Sequence, residues 1–166
     1  MSAPLPKFIE LSEASGQDSA ERWKTYLEAL YLVYHRTLVE AGLTFRDLPI
    51  QYRRTPDASG KHIAYWHLVQ EGYPEEHRTP DIERCRRLLW VSWVIQNANQ
   101  NTAVRVFPQT RRHGDKTWAL WLFGHGYVVI LAERSAYYLL KTAFLVSEDK
   151  REELERDWEA SQKPQK

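Results

Sequence analysis

Residues 117–146 read TWALWLFGHGYVVILAERSAYYLLKTAFLV, and this stretch decides the fold. Three runs rich in Val, Ile, Leu, Trp and Tyr, at 117–123, 126–132 and 137–146, are separated by Gly124-His125-Gly126 and Glu133-Arg134-Ser135. Both separators carry turn chemistry, so the runs read as successive antiparallel strands. A fourth strand, 103–107, precedes them across Arg111-Arg112-His113-Gly114-Asp115. The runs 117–123 and 126–132 are apolar at nearly every position. Strands of that kind are buried on both faces, so helices are expected on both sides of the sheet's centre.

Helical periodicity flanks this block. Asp18 and Glu21 resemble a capping box, Trp23, Leu27, Leu30, Tyr34, Leu38 and Ala41 recur at helical spacing, and Gly42 is placed to stop the helix. Two extended segments, 43–54 and 61–69, are expected to form a hairpin around Pro56-Asp57-Ala58-Ser59-Gly60. After a polar loop at 70–79, Thr79 caps a helix with Pro80 in its first turn and Asp81 at the positive end of its dipole. That helix carries Ile82, Cys85, Leu89 and Trp93 on one stripe and fades at Asn97-Ala98-Asn99. A charged helix from about Ser147 to Trp158 closes the chain. The expected fold class is α+β: helices packed on an antiparallel sheet of about four C-terminal strands, with an additional N-terminal hairpin. Residues 1–17 read as a flexible arm, 18–160 as a single domain and 161–166 as a flexible tail.

Composition narrows the function. The chain has 166 residues, 43% apolar and 27% charged, as in ordinary globular domains. Seven tryptophans and nine tyrosines imply a core of large rings, with some left for a binding face. A net charge of +1 excludes nucleic-acid binding by bulk charge, so any such binding needs a local patch. The lone Cys85 excludes an internal disulfide or a cysteine-rich zinc site and fits a reducing compartment. The N-terminal residues lack the apolar core of a signal peptide, and no apolar run has the length of a membrane span. Cytoplasmic location, no membrane partner, no cofactor and no metal are expected. The sequence contains no glycine-rich phosphate loop, no Cys-x-x-Cys and no Gly-x-Ser-x-Gly, and its six histidines lack metal-ligand spacing.

The candidates for chemistry are individual residues. On a strand over 62–69, alternation puts His67 on the face of Ile63, Tyr65 and Val69. A histidine there suits acid–base work, or is a core residue bonded to backbone. Arg84 and Arg87 share a helix face and could grip a phosphate, or form a solvated face paired with Glu83. In the last strand, Tyr138, Leu140, Thr142 and Phe144 share a face by alternation. Thr142 could orient a reacting phosphate or satisfy itself on backbone, and Arg134 in the preceding turn could reach the same end of the sheet.

Two blocks carry a resemblance. The first is Tyr65-Trp66-His67-Leu68, Glu71-Gly72 and Arg78-Thr79-Pro80-Asp81-Ile82-Glu83-Arg84-Cys85-Arg86-Arg87. The second is Tyr127 to Leu131, Arg134, and Tyr137-Tyr138-Leu139-Leu140 followed by Thr142-Ala143-Phe144. Together, over about residues 20–160, they resemble phage- and mobile-element-borne small proteins of the barnase–EndoU–colicin–RelE-like nuclease superfamily. The chain departs from that pattern after Trp90, with Ser92-Trp93-Val94 in place of an Arg-Pro pair. The resemblance implies a toxin-like, metal-independent ribonuclease that cleaves RNA by 2′-OH transesterification, with a cognate inhibitor protein as a possible partner. It implies His67 as base or acid, Glu71 in the complementary role, Arg84 and Arg134 as phosphate clamps, and Thr142 or Tyr138 as hydroxyl positioners. Arg87 and Trp66 would then bind substrate. The alternative is a catalytically silent module that holds nucleic acid or protein on the same fold.

Overall fold

The computed structural model describes residues 3–11, 18–72, 78–110 and 114–164. The centre of the polar loop at 73–77, the Arg111-Arg112-His113 part of one turn, the Ser/Gly/Gln stretch at 12–17 and the last two residues lie outside the described residues.

The apolar runs form the sheet's middle. Strands β6 (Lys116–Leu122) and β7 (Tyr127–Glu133) pair antiparallel, and almost every residue of both is buried. Gly126, at φ 61°, makes the left-handed step that reverses the chain between them. β5 (Val104–Thr110) lies outside β6, and β8 (Tyr138–Leu145) lies outside β7. These four antiparallel strands sit where the sequence puts them. The sheet is larger than expected, however, and mixed. Two N-terminal strands, β1 (Thr44–Phe45) and β2 (Leu48–Tyr52), extend it to six in the order β1-β2-β8-β7-β6-β5, with β2 parallel to β8.

The N-terminal hairpin differs from the expected one. It turns at Arg46 and Asp47, both at positive φ, 49° and 67°. That is the backbone of a tight primed turn, which usually selects Asn or Gly. Here the Arg46 guanidinium lies 4.2 Å from the centroid of the Trp118 ring, a contact that offsets the strain. The segment expected as the second strand is instead helix α2 (Ile63–Val69). Five of its seven residues, Ile63, Ala64, Tyr65, Leu68 and Val69, are buried and only Trp66 and His67 are partly exposed, so neither a helical nor a strand period stands out in so short a run.

Helix α1 (Ser19–Tyr34) starts on Asp18, whose carboxylate accepts from Glu21 N at 2.8 Å. It runs into a π-helical turn, His35–Val39, before Gly42 at φ 64°. The helix expected from Thr79 begins later and is broken. Thr79–Pro80 form a short strand, β4, against β3 (Gln70–Glu71), and Asp81 is the true cap, accepting from Glu83 N at 2.9 Å. Helix α3 (Ile82–Arg86) then breaks at Arg87 (φ −100°, ψ 15°) before α4 (Leu88–Asn97).

The sheet carries two cores. One holds Leu30, Tyr34, Leu68, Leu88, Leu120 and Val129, under α1, α2 and α4. The other holds Phe107, Trp121, Val128 and Leu154, under α5 (Glu148–Gln162). The N-terminal residues lie against the first. Trp93 and Trp90 donate their indole N–H groups to Ala3 O (3.0 Å) and Pro6 O (2.8 Å), and Tyr26 donates its hydroxyl to Ile9 O (2.6 Å). No described helix is long and apolar enough to cross a membrane.

Leu120, fully buried at the sheet's centre, and Leu32, 58% exposed on α1, test this layering. Leu120→Ala is expected to cost about 2–5 kcal/mol of unfolding free energy, against about 0.5 kcal/mol or less for Leu32→Ala, read from urea midpoints.

Candidate functional site

Three of the residues singled out in the sequence meet at one point, though not as a catalytic trio. β2 pairs with β8 only from Tyr138 to Leu140, so the rest of β8 has an edge without a strand partner, and α2 and α3 pack there. Helix α2 ends facing it with its last carbonyls exposed to the interior. Arg84 on α3 caps them: its Nη1 donates to His67 O at 3.0 Å and to Gln70 O at 2.9 Å, and lies 3.4 Å from Thr142 Oγ1. Thr142 donates to His67 O at 3.3 Å, and Asp81 N donates to Val69 O at 2.8 Å. Arg78 adds a bond from Nη2 to Gln70 O at 2.6 Å. Burial lowers the Arg84 pKa, and the Asp81 carboxylate, 3.5 Å from its Nε, opposes that. Arg84 and Thr142 are thus committed to backbone, and what His67 brings to this node is its carbonyl. Glu71 is exposed on β3 and bears on the node through its charge on Arg84.

The other candidates lie elsewhere. Arg134 donates from Nη1 to Glu133 O (3.0 Å) and Asp115 Oδ1 (3.3 Å). Tyr138 pairs with Glu133, is 3% exposed, and packs edge-on to Phe45 at 4.9 Å. Tyr138 sits about 13 Å along β8 from Thr142, and Arg134, in the turn before β8, lies at that same end. Nor do Tyr138 and Phe144 share a face. A bulge lies where the register shifts between Ile130 and Leu131, leaving Lys141 unpaired. Tyr138, Leu140 and Ala143 therefore belong to the larger core, and Phe144 packs against the smaller one. Arg87 is held by Glu83, through a salt bridge and a 3.1 Å bond to Glu83 O, and lies over Phe8 and Trp90. Trp66 donates to Ala58 O at 2.9 Å on the opposite side of α2.

At the start of α2 the fold assembles a different cluster. Tyr31, Tyr34 and His35 follow one another at the i, i+3, i+4 spacing of one helix face, and the π-helical turn begins at His35. His62, the residue before α2, meets them. Its Nδ1 lies 3.0 Å from Tyr34 Oη, its backbone N donates to Tyr31 Oη at 3.2 Å, and its ring centroid is 5.2 Å from that of His35. Tyr65 and Tyr52 complete the wall, and the Tyr52 hydroxyl is buried without a hydrogen-bond partner among the described residues. Burial raises the pKa of Tyr34, Tyr52 and Tyr65, so all three phenols stay protonated at neutral pH. The His62 pKa is lowered, first by burial and then by His35 and Arg54, with Asp57 opposing. His62 is therefore a neutral imidazole at neutral pH. Tyr34 Oη and Nδ1 share that hydrogen bond, and in the tautomer that donates Nδ1–H to Tyr34, Nε2 keeps a lone pair for a proton. The arrangement can move protons at a group bound beside it, and the exposed Arg54 puts positive charge near it.

Sequence reading missed this cluster because it took Tyr34 as part of a core stripe and, of the six histidines, weighed His67 alone for acid–base work. The available signal was Tyr31, Tyr34 and His35 on one face. No His, Cys, Asp or Glu group among the described residues is arranged to hold a metal. No known protein family, curated protein or solved structure matches this chain.

Two outcomes follow from this geometry. Arg84→Met, which keeps bulk but strands the α2 carbonyls, is expected to cost about 3 kcal/mol, and Thr142→Val about 1 kcal/mol, in urea denaturation. Because the folded pKa of His62 lies below its ordinary value of 6.5, unfolding takes up a proton in acid. The His62 contribution is full above that value and is lost as pH falls through the folded pKa. His62→Gln is expected to flatten this acid limb, read as the pH dependence of the urea midpoint.

Proposed function

We propose that this chain acts on RNA without a metal, cleaving it by 2′-OH transesterification, with His62 as base and His35 as acid. The observation that carries the reading is the pair of imidazoles 5.2 Å apart, one of them held neutral and oriented by Tyr34. His62 Nε2 takes the proton of the ribose 2′-OH. The freed oxygen attacks the adjacent phosphorus, the bond to the 5′-oxygen breaks, and that oxygen takes a proton from His35, leaving a 2′,3′-cyclic phosphate. Arg54 opposes the charge that builds on the phosphate.

The roles that the resemblance implies are redistributed in this reading. Arg84 and Thr142 act as positioning residues: they fix one end of α2, and His62 stands at the other. Arg134 and Tyr138, at the far end of β8, support the scaffold. His67 remains the competing acid–base candidate and is tested beside the pair.

Labelled single-stranded RNA incubated in EDTA is expected to be cut to cyclic-phosphate ends. His62→Ala and His35→Ala should each slow cleavage by about 10²–10⁴-fold, a larger loss than in His67→Ala. The acid limb of the pH–rate profile should have its midpoint below the ordinary histidine value of 6.5, where His62 loses its proton. Intact RNA with the wild type sinks the reading and favours a silent binding module. Cleavage that survives both substitutions but not His67→Ala moves the chemistry to His67.

A further inference from the structure

The N-terminal segment offers its acceptors at a fixed interval. The carbonyls of Ala3, Pro6 and Ile9, each three residues from the next, accept from Trp93 (3.0 Å), Trp90 (2.8 Å) and Tyr26 (2.6 Å). A polyproline II helix turns once in three residues and makes no internal hydrogen bonds, so every third carbonyl falls in one row along one side. Residues 3–11 form no helix or strand, and Pro4 and Pro6 preset the backbone for that course. The receiving face has the matching form. Trp90 and Trp93, three apart on α4, aim two indole N–H groups at the row, and Tyr26 on α1 adds a hydroxyl. All three rings are buried with the segment in place, and Ile9 N closes the contact by donating to Arg86 O at 2.9 Å.

We propose that the face of Trp90, Trp93 and Tyr26 is a receptor for polyproline II segments: residues 3–11 are its ligand in cis, and a proline-rich segment of a partner protein takes it in trans. A row of main-chain acceptors at every third residue is what any proline-rich segment presents, and aromatic-lined grooves take such segments because they are ordered before they bind. The cis ligand is held by neutral hydrogen bonds, by the stack of Phe8 on Trp90 at 5.4 Å and by an exposed ion pair of Glu10 with Arg86, all of which a competitor can replace. A second copy of this chain brings only the contacts already made in cis and gives up the advantage of covalent attachment. A partner richer in proline brings a stiffer ligand to the same donors. Neither histidine of the acid–base pair takes part, so this face and the RNA reading stand or fall separately.

Attachment gives the cis ligand a high effective concentration. The test therefore uses the full chain carrying Phe8→Ser and Glu10→Arg, which remove the stack and reverse the ion pair while leaving the receiving rings intact. The probe is a fluorescent synthetic peptide with the sequence of residues 3–11, read by anisotropy. It is expected to bind the loosened chain about tenfold more tightly than the wild type, and a probe with proline in place of the exposed Lys7 more tightly still. Pro4→Gly with Pro6→Gly in the probe should weaken binding about tenfold. Trp93→Phe in the loosened chain, which keeps a ring and removes the N–H, should weaken it about fivefold. The glycine probe leaves the protein unaltered, so a folding defect cannot mimic its effect. No binding to the loosened chain, equal binding of the glycine probe, or no loss in Trp93→Phe overturns the receptor. A wild-type dimer in sedimentation that the probe dissociates assigns the face to exchange between two copies and overturns the partner.

Discussion

The structure depends on how the open end of α2 is closed. A seven-residue helix cannot hold itself in water, and its last carbonyls face the interior of the fold. Arg84 supplies a charged donor, its Nη1, to the carbonyls of His67 and Gln70, and Thr142 supplies a hydroxyl to that of His67. Both partners come from elsewhere in the chain, so the helix is held by tertiary contacts. Once α2 is fixed, so is His62 before it, and so are the Tyr65 and Trp66 rings on its first turns. The β8 bulge serves the same end. By turning the strand's alternation at Lys141, it aligns Tyr138 and Leu140 with one core and Phe144 with the other, beside an edge where α2 can sit.

This arrangement separates scaffold from chemistry in an unexpected way. The arginines that look like phosphate ligands in the sequence are largely spent on carbonyls, carboxylates and rings. Around His62, by contrast, the Tyr52 hydroxyl is buried without a hydrogen-bond partner among the described residues. A cluster of this kind has buried phenols that stay protonated and one imidazole kept neutral by its surroundings. Its electrostatics therefore come mainly from desolvation, with ion pairing in a minor role.

The legible parts of the sequence were those where local pattern and environment agree. β6 and β7 announced themselves because strands buried on both faces leave no polar alternation, and Asp18 and Gly42 marked α1 and its exit. α2 was illegible because five of its seven residues are buried, which leaves too few polar positions to mark a helical period. The true hairpin was illegible because Arg46-Asp47 lacks the usual turn residues and is held by a ring on a distant strand. The break at Arg87 leaves no proline or glycine to mark it. At the site, the convergence of Arg84 with Thr142 spans 58 residues, and the meeting of His35 with His62 needs both α1 and the β1–β2 hairpin in place. Neither has a spacing that a linear reading can register.

The N-terminal segment has one more consequence. Its main-chain carbonyls at Ala3, Pro6 and Ile9 accept from Trp93, Trp90 and Tyr26, while its side chains add a second hold: Phe8 stacks on Trp90 at 5.4 Å, Glu10 pairs with Arg86 at 3.1 Å, and Leu5, Ile9 and Leu11 pack against the larger core. Variation in this part of the molecule is therefore uneven. At Ala3 and Pro6 the receiving surface reads the path of the chain, an extended course that Pro4 and Pro6 already favour, whereas at Phe8 and Glu10 it reads the side chain as well. The strap is stitched on at some points and merely laid down at others.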